Sequence, residues 1–148
     1  KHVHDPLRAT MLRRRDGDRY VQLNWPELMQ ELDAALRKAG RLAAVVSPNL
    51  TVEEAYLLCQ YIRGIDPEAV LAVGPIPTEG TDERFPNGFT IRAEKCPNRK
   101  GVEAIVARLG GGLLNWGDFL GRIENESFGA VWMTGPAATV FDGEIELA

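Results

Sequence analysis

Three short runs of apolar residues, none of which alternates with polar ones, constrain the fold of this chain more than any other feature. The runs are Leu42–Val46, residues 69–73 and residues 129–133. Unbroken apolar runs of this length are typical of parallel strands covered on both faces, because the side chains pointing to each face must then be apolar. The sequence therefore predicts a buried parallel sheet.

A first helix is predicted between Asn24 and Gly40. Asn24 and Glu27 have the spacing of a capping box, Pro26 suits the opening turn, and Gly40 is a typical helix end. We expect one apolar stripe of this helix to pack in the core: Trp25, Leu28, Met29, Leu32, Leu36 and Ala39.

A second helix is predicted from the capping box of Thr51 and Glu54 to about Arg63, with Gly64 ending it. Further helices are expected over residues 101–109 and 116–123. The buried stripe of the second helix would comprise Val52, Ala55, Tyr56, Cys59 and Ile62, which makes Cys59 a small core residue with little reactive character.

A β-hairpin is predicted over residues 11–23, ahead of the first helix. Asp16 and Gly17 both tolerate the positive φ of a type I′ turn, and residues 11–15 and 18–23 form the two arms. The arginines at positions 13–15 could attract anions, but a solvated strand edge is the simpler interpretation. We expect a single α/β domain over residues 1–148, with sheet and helices over 24–135 and a tail over 136–148.

Composition excludes several classes of function. The 148 residues carry a net charge of −4 with a pI near 5.2, which argues against a nucleic-acid binder. No apolar run approaches the roughly 18–20 residues of a membrane span, so no direct membrane insertion is expected. Cys59 and Cys96 are too few for an iron–sulfur cluster or a structural zinc site, and reduced thiols of a cytoplasmic protein are expected.

From the start of the chain we expect a domain cut from a longer protein, or a processed end. Position 1 is Lys, and no apolar signal segment follows it. His2 and His4 are the only histidines; two ligands at a terminus are weak evidence for a metal, and we interpret them as a tag remnant or terminal residues. No metal site is predicted.

Ligands of open α/β sheets gather at the carboxyl ends of the strands. That rule points to three segments: residues 47–51, the segment from Gly74 to Gly88, and residues 134–137. The long segment rich in Pro and Gly is unusual in a compact domain and is typical of a functional loop or a linker. GxGxxG, GxxxxGK[ST] and GxSxG are all missing from the sequence, so no catalytic residue is predicted.

Residues 92–101 are the most informative stretch for binding. Asn98 could cap the following helix, and the first helical amides together with Arg99, Lys100 and Gly101 would form a small anion-binding corner. The alternative is a capped loop with surface charges. Cys96, beside a helix start and two cations, could have some thiolate character, but a thiol enzyme would lack a nearby histidine base.

The sequence resembles the molybdopterin oxidoreductase superfamily, and within it the large iron–sulfur subunits of respiratory NADH–quinone oxidoreductase (complex I). The resemblance lies in LNWPEL at 23–28, SPNLTVEEAYL at 47–57, RAEKCPNRKG at 92–101 and VWMTG at 131–135, in that order. It implies a Rossmann-like open, mostly parallel sheet with helices on both faces. It also implies flanking domains that carry the iron–sulfur clusters.

The family's long middle portion, with most of its cofactor cradle, has no counterpart here. The expected cofactors of this chain are therefore none, and its expected role is to support electron transfer without catalysing a reaction. Its partners would be other domains and subunits of a cytoplasmic redox complex at the membrane periphery. The alternative is an active molybdopterin-guanine-dinucleotide or nucleotide-binding oxidoreductase domain resembling that of formate dehydrogenase.

Overall fold

The computed structural model describes residues 11–134. The chain packs as two compact units, one ending at Lys38 and the other starting at Ala39. The expectation of one domain over residues 1–148 stays a prediction, and the tail predicted over 136–148 lies outside the described residues. His2 and His4 also lie outside them.

The first unit contains the predicted hairpin. Strands β1 (Arg13–Asp16) and β2 (Arg19–Gln22) pair antiparallel, with Asp16 opposite Arg19. The turn is therefore Gly17 and Asp18, not Asp16 and Gly17. Gly17 has φ of +60°, and no residue other than glycine has positive φ in the described part of the chain. The type I′ expectation was wrong, because one glycine at the first central position suits a type II′ turn.

Helix α1 (Trp25–Ala39) begins at the predicted capping box. The Glu27 amide donates to Asn24 Oδ1 at 2.9 Å, the Asn24 amide donates to Glu27 Oε2 at 3.3 Å, and Gly40 follows the helix with φ of +80°. The prediction that its whole apolar stripe is core was wrong. Leu36 is buried, but Trp25 and Met29 are 66% and 46% exposed, because a hairpin and one helix offer little surface to cover them.

The second unit is an α/β unit with a three-stranded parallel sheet. Its elements, in chain order, are β3 (Leu42–Val46), α2 (Val52–Ile65), β4 (Val70–Val73), β5 (Glu83–Arg84), β6 (Thr90–Ile91), α3 (Arg99–Gly110), α4 (Trp116–Asn125) and β7 (Ala130–Met133). The sheet order is β4-β3-β7, and both pairings are parallel. The predicted parallel sheet is confirmed, but the expectation that all three strands are covered on both faces is wrong for the edge strand β7, where Val131 and Met133 are 40% and 56% exposed.

Helices cover both faces of this sheet. On one face, Phe119 of α4 packs in a cluster with alternate residues of β3 and β4, namely Ala43, Val45, Val70 and Ala72. On the other face, Gly110 of α3 lies against Leu71, and α2 packs along α3. The buried residues of α2 and α3 are Ala55, Cys59, Ile62, Val102 and Val106.

The predicted stripe of α2 is buried only in part, since Val52 and Tyr56 are 38% and 45% exposed. The helix also continues through Gly64 to Ile65, because Gly64 does not take the positive φ of a helix-ending glycine. Asp66 ends it instead: its amide donates to Ile62 O, and its carboxylate accepts from the Leu42 amide at 2.8 Å. One residue thus ends α2 and aligns the start of β3.

The segment from Gly74 to Gly88 is not structureless, contrary to expectation. Its second half pairs with the following residues as the antiparallel strands β5 and β6. The pairing extends towards the sheet, where the Glu79 amide donates to Ala93 O at 2.8 Å and the Lys95 amide donates to Pro77 O at 3.0 Å. We call residues 77–95 the β-arm. The sequence predicts an extended segment over residues 89–93, which contains β6, but it gives no sign of β5, because a strand of two residues is too short to show periodicity.

Candidate functional site

The carboxyl ends of the three parallel strands are joined by hydrogen bonds within the chain. The Ser47 amide donates to Thr134 Oγ1 at 2.8 Å, and that hydroxyl donates to Val45 O at 2.9 Å. The Gly74 amide donates to Val46 O at 2.9 Å. The loops expected to gather at this edge are therefore brought together, as far as Thr134; residues 135–137 lie outside the described part.

Ser47 does not offer a free hydroxyl to a ligand at this edge. The residue is 1% exposed, and its Oγ accepts from the Asn49 amide at 3.2 Å. A Cβ at Gly74 would lie 3.3 Å from Val45 Cγ1, so the next loop passes close to β3. The space at the carboxyl ends of β3 and β4 is thus occupied by the turns that follow these two strands.

Asn98 precedes α3 but does not cap it through its side chain. No side-chain cap is formed, and Asn98 Nδ2 donates instead to Leu50 O at 2.6 Å. The capping prediction was wrong because Asn98, at φ −102° and ψ 8°, lacks the extended backbone from which a cap oxygen accepts from the first helical amides. The bond from its side-chain NH2 group to the loop after β3 is a contact that the local sequence does not reveal. Asn98 links the start of α3 to the start of α2.

Arg99 is held between two carboxylates. Its Nη1 donates to Glu94 Oε2 at 2.8 Å and its Nε donates to Glu103 Oε1 at 2.6 Å. The hydrogen bonds that Arg99 donates to Glu103 and, to a lesser extent, to Glu94 raise its pKa, so it stays charged. The Arg99 charge, which the sequence analysis offered to a bound anion, is therefore balanced by two carboxylates of the protein itself. The Arg99–Glu103 spacing of four residues is a signal that sequence reasoning missed.

Gly101 provides close packing in the first turn of α3. A Cβ at this position would lie 2.6 Å from Val52 Cγ2 and 2.8 Å from Asn98 Oδ1. Any side chain here would collide with the first residue of α2. The predicted site residue is therefore explained by contact between two helix starts.

Lys100 faces an open cleft of about 600 Å³ beside this turn. The cleft is lined by four basic residues and two acidic ones: Arg92, Lys95, Arg99, Lys100, Glu94 and Glu103. Lys95 Nζ donates to Arg92 O at 3.1 Å, which leaves the Arg92 and Lys100 side chains as its cations without a bonded partner in the described part of the chain.

Cys96 also lines the cleft but is 5% exposed. Burial raises the pKa of its thiol, the Glu94 carboxylate raises it further, and Arg99 lowers it. Of the two interpretations that the sequence left open, these effects favour the ordinary thiol over one with thiolate character. Cys59 is fully buried, as predicted, and burial raises its pKa to about 11.

The four predicted anion-site residues lie on one turn, and the anion site stays a prediction. Asn98 and Arg99 are bonded inside the protein, Gly101 is packed against Val52, and only Lys100 faces the cleft without a bonded partner. These residues do not fit a pterin or a dinucleotide without rearrangement. No reaction step is therefore derived through such a group.

Two other features concern residues 11–134, namely metal-ligand groups and membrane-spanning helices. No group of three His, Cys, Asp or Glu side chains within that range is arranged to hold a metal ion. Nor does any helix there have the length and apolar character needed to cross a lipid bilayer.

Comparisons with protein-family models, with curated proteins and with solved structures find no match to this chain.

Proposed function

We propose that this chain is a reduced molybdopterin-oxidoreductase-like domain that supports a redox subunit of the NADH–quinone oxidoreductase type and does not itself catalyse a reaction. Its iron–sulfur clusters would lie in flanking domains. Its partners would be other domains and subunits of a cytoplasmic respiratory complex at the membrane periphery.

The observation that carries this proposal is the contact between two of the segments that resemble the family. Leu50 and Val52 belong to the segment at 47–57, and Asn98 and Gly101 belong to the segment at 92–101. The Asn98 side-chain amide bonds to the Leu50 carbonyl, and Gly101 lies against Val52. Residues that could serve a cofactor instead hold two helix starts together, which favours a supporting role.

The test is the composition of the full-length protein as isolated. We expect iron and acid-labile sulfide with a bleachable visible absorption, together with molybdenum and tungsten far below one per chain and no pterin fluorescence after acid release. Stoichiometric molybdenum, tungsten or pterin would contradict the supporting role, and a protein without iron would contradict the redox setting.

An active nucleotide-binding or molybdenum-enzyme role is the second candidate, favoured by the cleft with its unbonded Arg92 and Lys100. It predicts that millimolar guanine nucleotide raises the melting temperature through binding to the native state. The proposed supporting role predicts no shift. A shift that K100A removes and that K38A, on exposed α1, retains would favour this second candidate.

A further inference from the structure

The tip of the β-arm is a tight turn that contains an asparagine followed by a glycine. The Phe85 amide donates to Phe89 O at 2.8 Å. The Gly88 amide donates to Phe85 O at 2.9 Å, which closes the turn around Asn87. Gly88 has φ of +84°, a conformation that residues with a Cβ rarely adopt. The turn therefore favours glycine directly after Asn87.

This asparagine–glycine pair is the only one in the 148 residues. The other five asparagines precede Trp, Leu, Arg, Trp and Glu, in the order Asn24, Asn49, Asn98, Asn115 and Asn125. The main-chain nitrogen after an asparagine can attack the side-chain carbonyl carbon and close a five-membered ring. A Cβ on the residue that supplies the nitrogen hinders this approach, and glycine has none.

Water and hydroxide have free access to the pair. Every residue from 77 to 89 is exposed. Strands β5 and β6 have two residues each, and among the named helices and strands they make substantial contacts only with each other. Opening of the arm tip therefore costs little, and it releases the Gly88 amide from Phe85 O while the parallel sheet stays folded.

The Asn87 side chain is polarised towards attack by a hydrogen bond within the turn. The Phe89 amide donates to Asn87 Oδ1 at 3.0 Å. An N–H donor at a carbonyl oxygen stabilises the negative charge that develops on it when a nucleophile adds to the carbon. The same bond keeps the Asn87 carbonyl group on the side of the residues that follow it.

We propose that Asn87 is the main site of spontaneous deamidation in this chain. The Gly88 nitrogen gives its proton to hydroxide and forms a bond to Asn87 Cγ. The Cγ–Nδ2 bond then breaks, and the NH2 group takes a proton from water and leaves as ammonia. Water opens the resulting cyclic imide at either carbonyl, which gives aspartate or isoaspartate at this position.

The reaction changes the β-arm in two ways. It adds one negative charge to a chain whose net charge is −4. Isoaspartate also places an extra carbon in the main chain ahead of Gly88, so the Gly88 amide no longer meets Phe85 O and the pairing of β5 with β6 weakens. The inference does not depend on the redox assignment, because it rests on the arm alone.

The test is to age the full-length protein at physiological temperature and slightly alkaline pH, and to follow each asparagine by peptide mass spectrometry. Conversion at Asn87 should be about tenfold or more faster than at Asn125, which is also exposed but precedes Glu126, because the Cβ of Glu126 raises the barrier to ring closure. Fragmentation should identify isoaspartate among the products, which direct hydrolysis of the side chain does not form.

The variant G88A should slow conversion at Asn87 by about tenfold or more, since the attacking nitrogen then belongs to a residue with a Cβ. G80A is the matched control, because Gly80 also lies in the β-arm with positive φ and, like Gly88, has nothing within 4 Å of an added Cβ. Both variants strain the arm, but G80A should convert at least as fast as the parent protein.

Three results would overturn the proposal: conversion at Asn87 no faster than at Asn125, aspartate without isoaspartate, or equal slowing in G88A and G80A. None of them alters the expected iron, molybdenum and pterin content, so the two proposals fail separately.

Discussion

Replacing Phe119 with Ala should cost about 3–5 kcal/mol of unfolding free energy, the range for deleting a buried aromatic side chain. Phe119 is fully buried, and the residues beneath it in β3 and β4 are small, so neighbouring side chains cannot fill the space. Trp116 and Phe128 would also lose their ring contacts, with centroids at 6.0 and 6.4 Å. Chemical denaturation of F119A and the parent protein measures the difference.

The matched control is Leu120→Ala. Leu120 is the next residue of α4 and is 42% exposed, so its loss should cost under about 1 kcal/mol. Equal losses in F119A and L120A would contradict the placement of α4, because the two side chains would then contribute equally to the core.

Gly101→Ala should cost about 1–3 kcal/mol, the usual range for overpacking. The added methyl would meet Val52 Cγ2 at 2.6 Å and Asn98 Oδ1 at 2.8 Å, which forces the starts of α2 and α3 apart. Denaturant unfolding gives the free-energy change. If V52A/G101A is destabilised by less than the sum of the single variants, the collision with Val52 is the cause.

Gly64→Ala provides the control for the same substitution in another helix. A Cβ at Gly64 meets nothing within 4 Å, and the residue has no positive φ, so alanine should raise stability by roughly 0.5–1 kcal/mol. A G101A variant that is stabilised as much as G64A would show that the two helix starts are not in close contact.

The sheet was predictable because its signal is local. The boundaries of β3 and the capping boxes at Asn24 and Thr51 follow from a few neighbouring residues, and the structure confirms them. The exposure of Trp25 was not predictable in this way, since a stripe at helical spacing does not say how much surface is available to cover it. How much of an apolar stripe is buried depends on the elements that pack against the helix.

The candidate site shows the same limit. Sequence reasoning found the turn at residues 98–101 and left two interpretations of its side chains, an anion site and a capped loop with surface charges. The Asn98 side chain bonds to the carbonyl of Leu50, 48 residues away in the chain, and no local sequence pattern predicts that contact. Arg99 differs, because one of its two carboxylate partners, Glu103, is a helical neighbour that the spacing could have revealed.

The two buried cysteines of the second unit can serve as probes of its unfolding. Both thiols are free and shielded, and burial raises the pKa of each. A thiol reagent should modify them only when local or global unfolding exposes them. Cys96 lies in the loop before α3, whereas Cys59 lies on the buried side of α2 itself. Faster modification at Cys96 than at Cys59 would therefore show that the loop opens while the sheet and its helices stay folded.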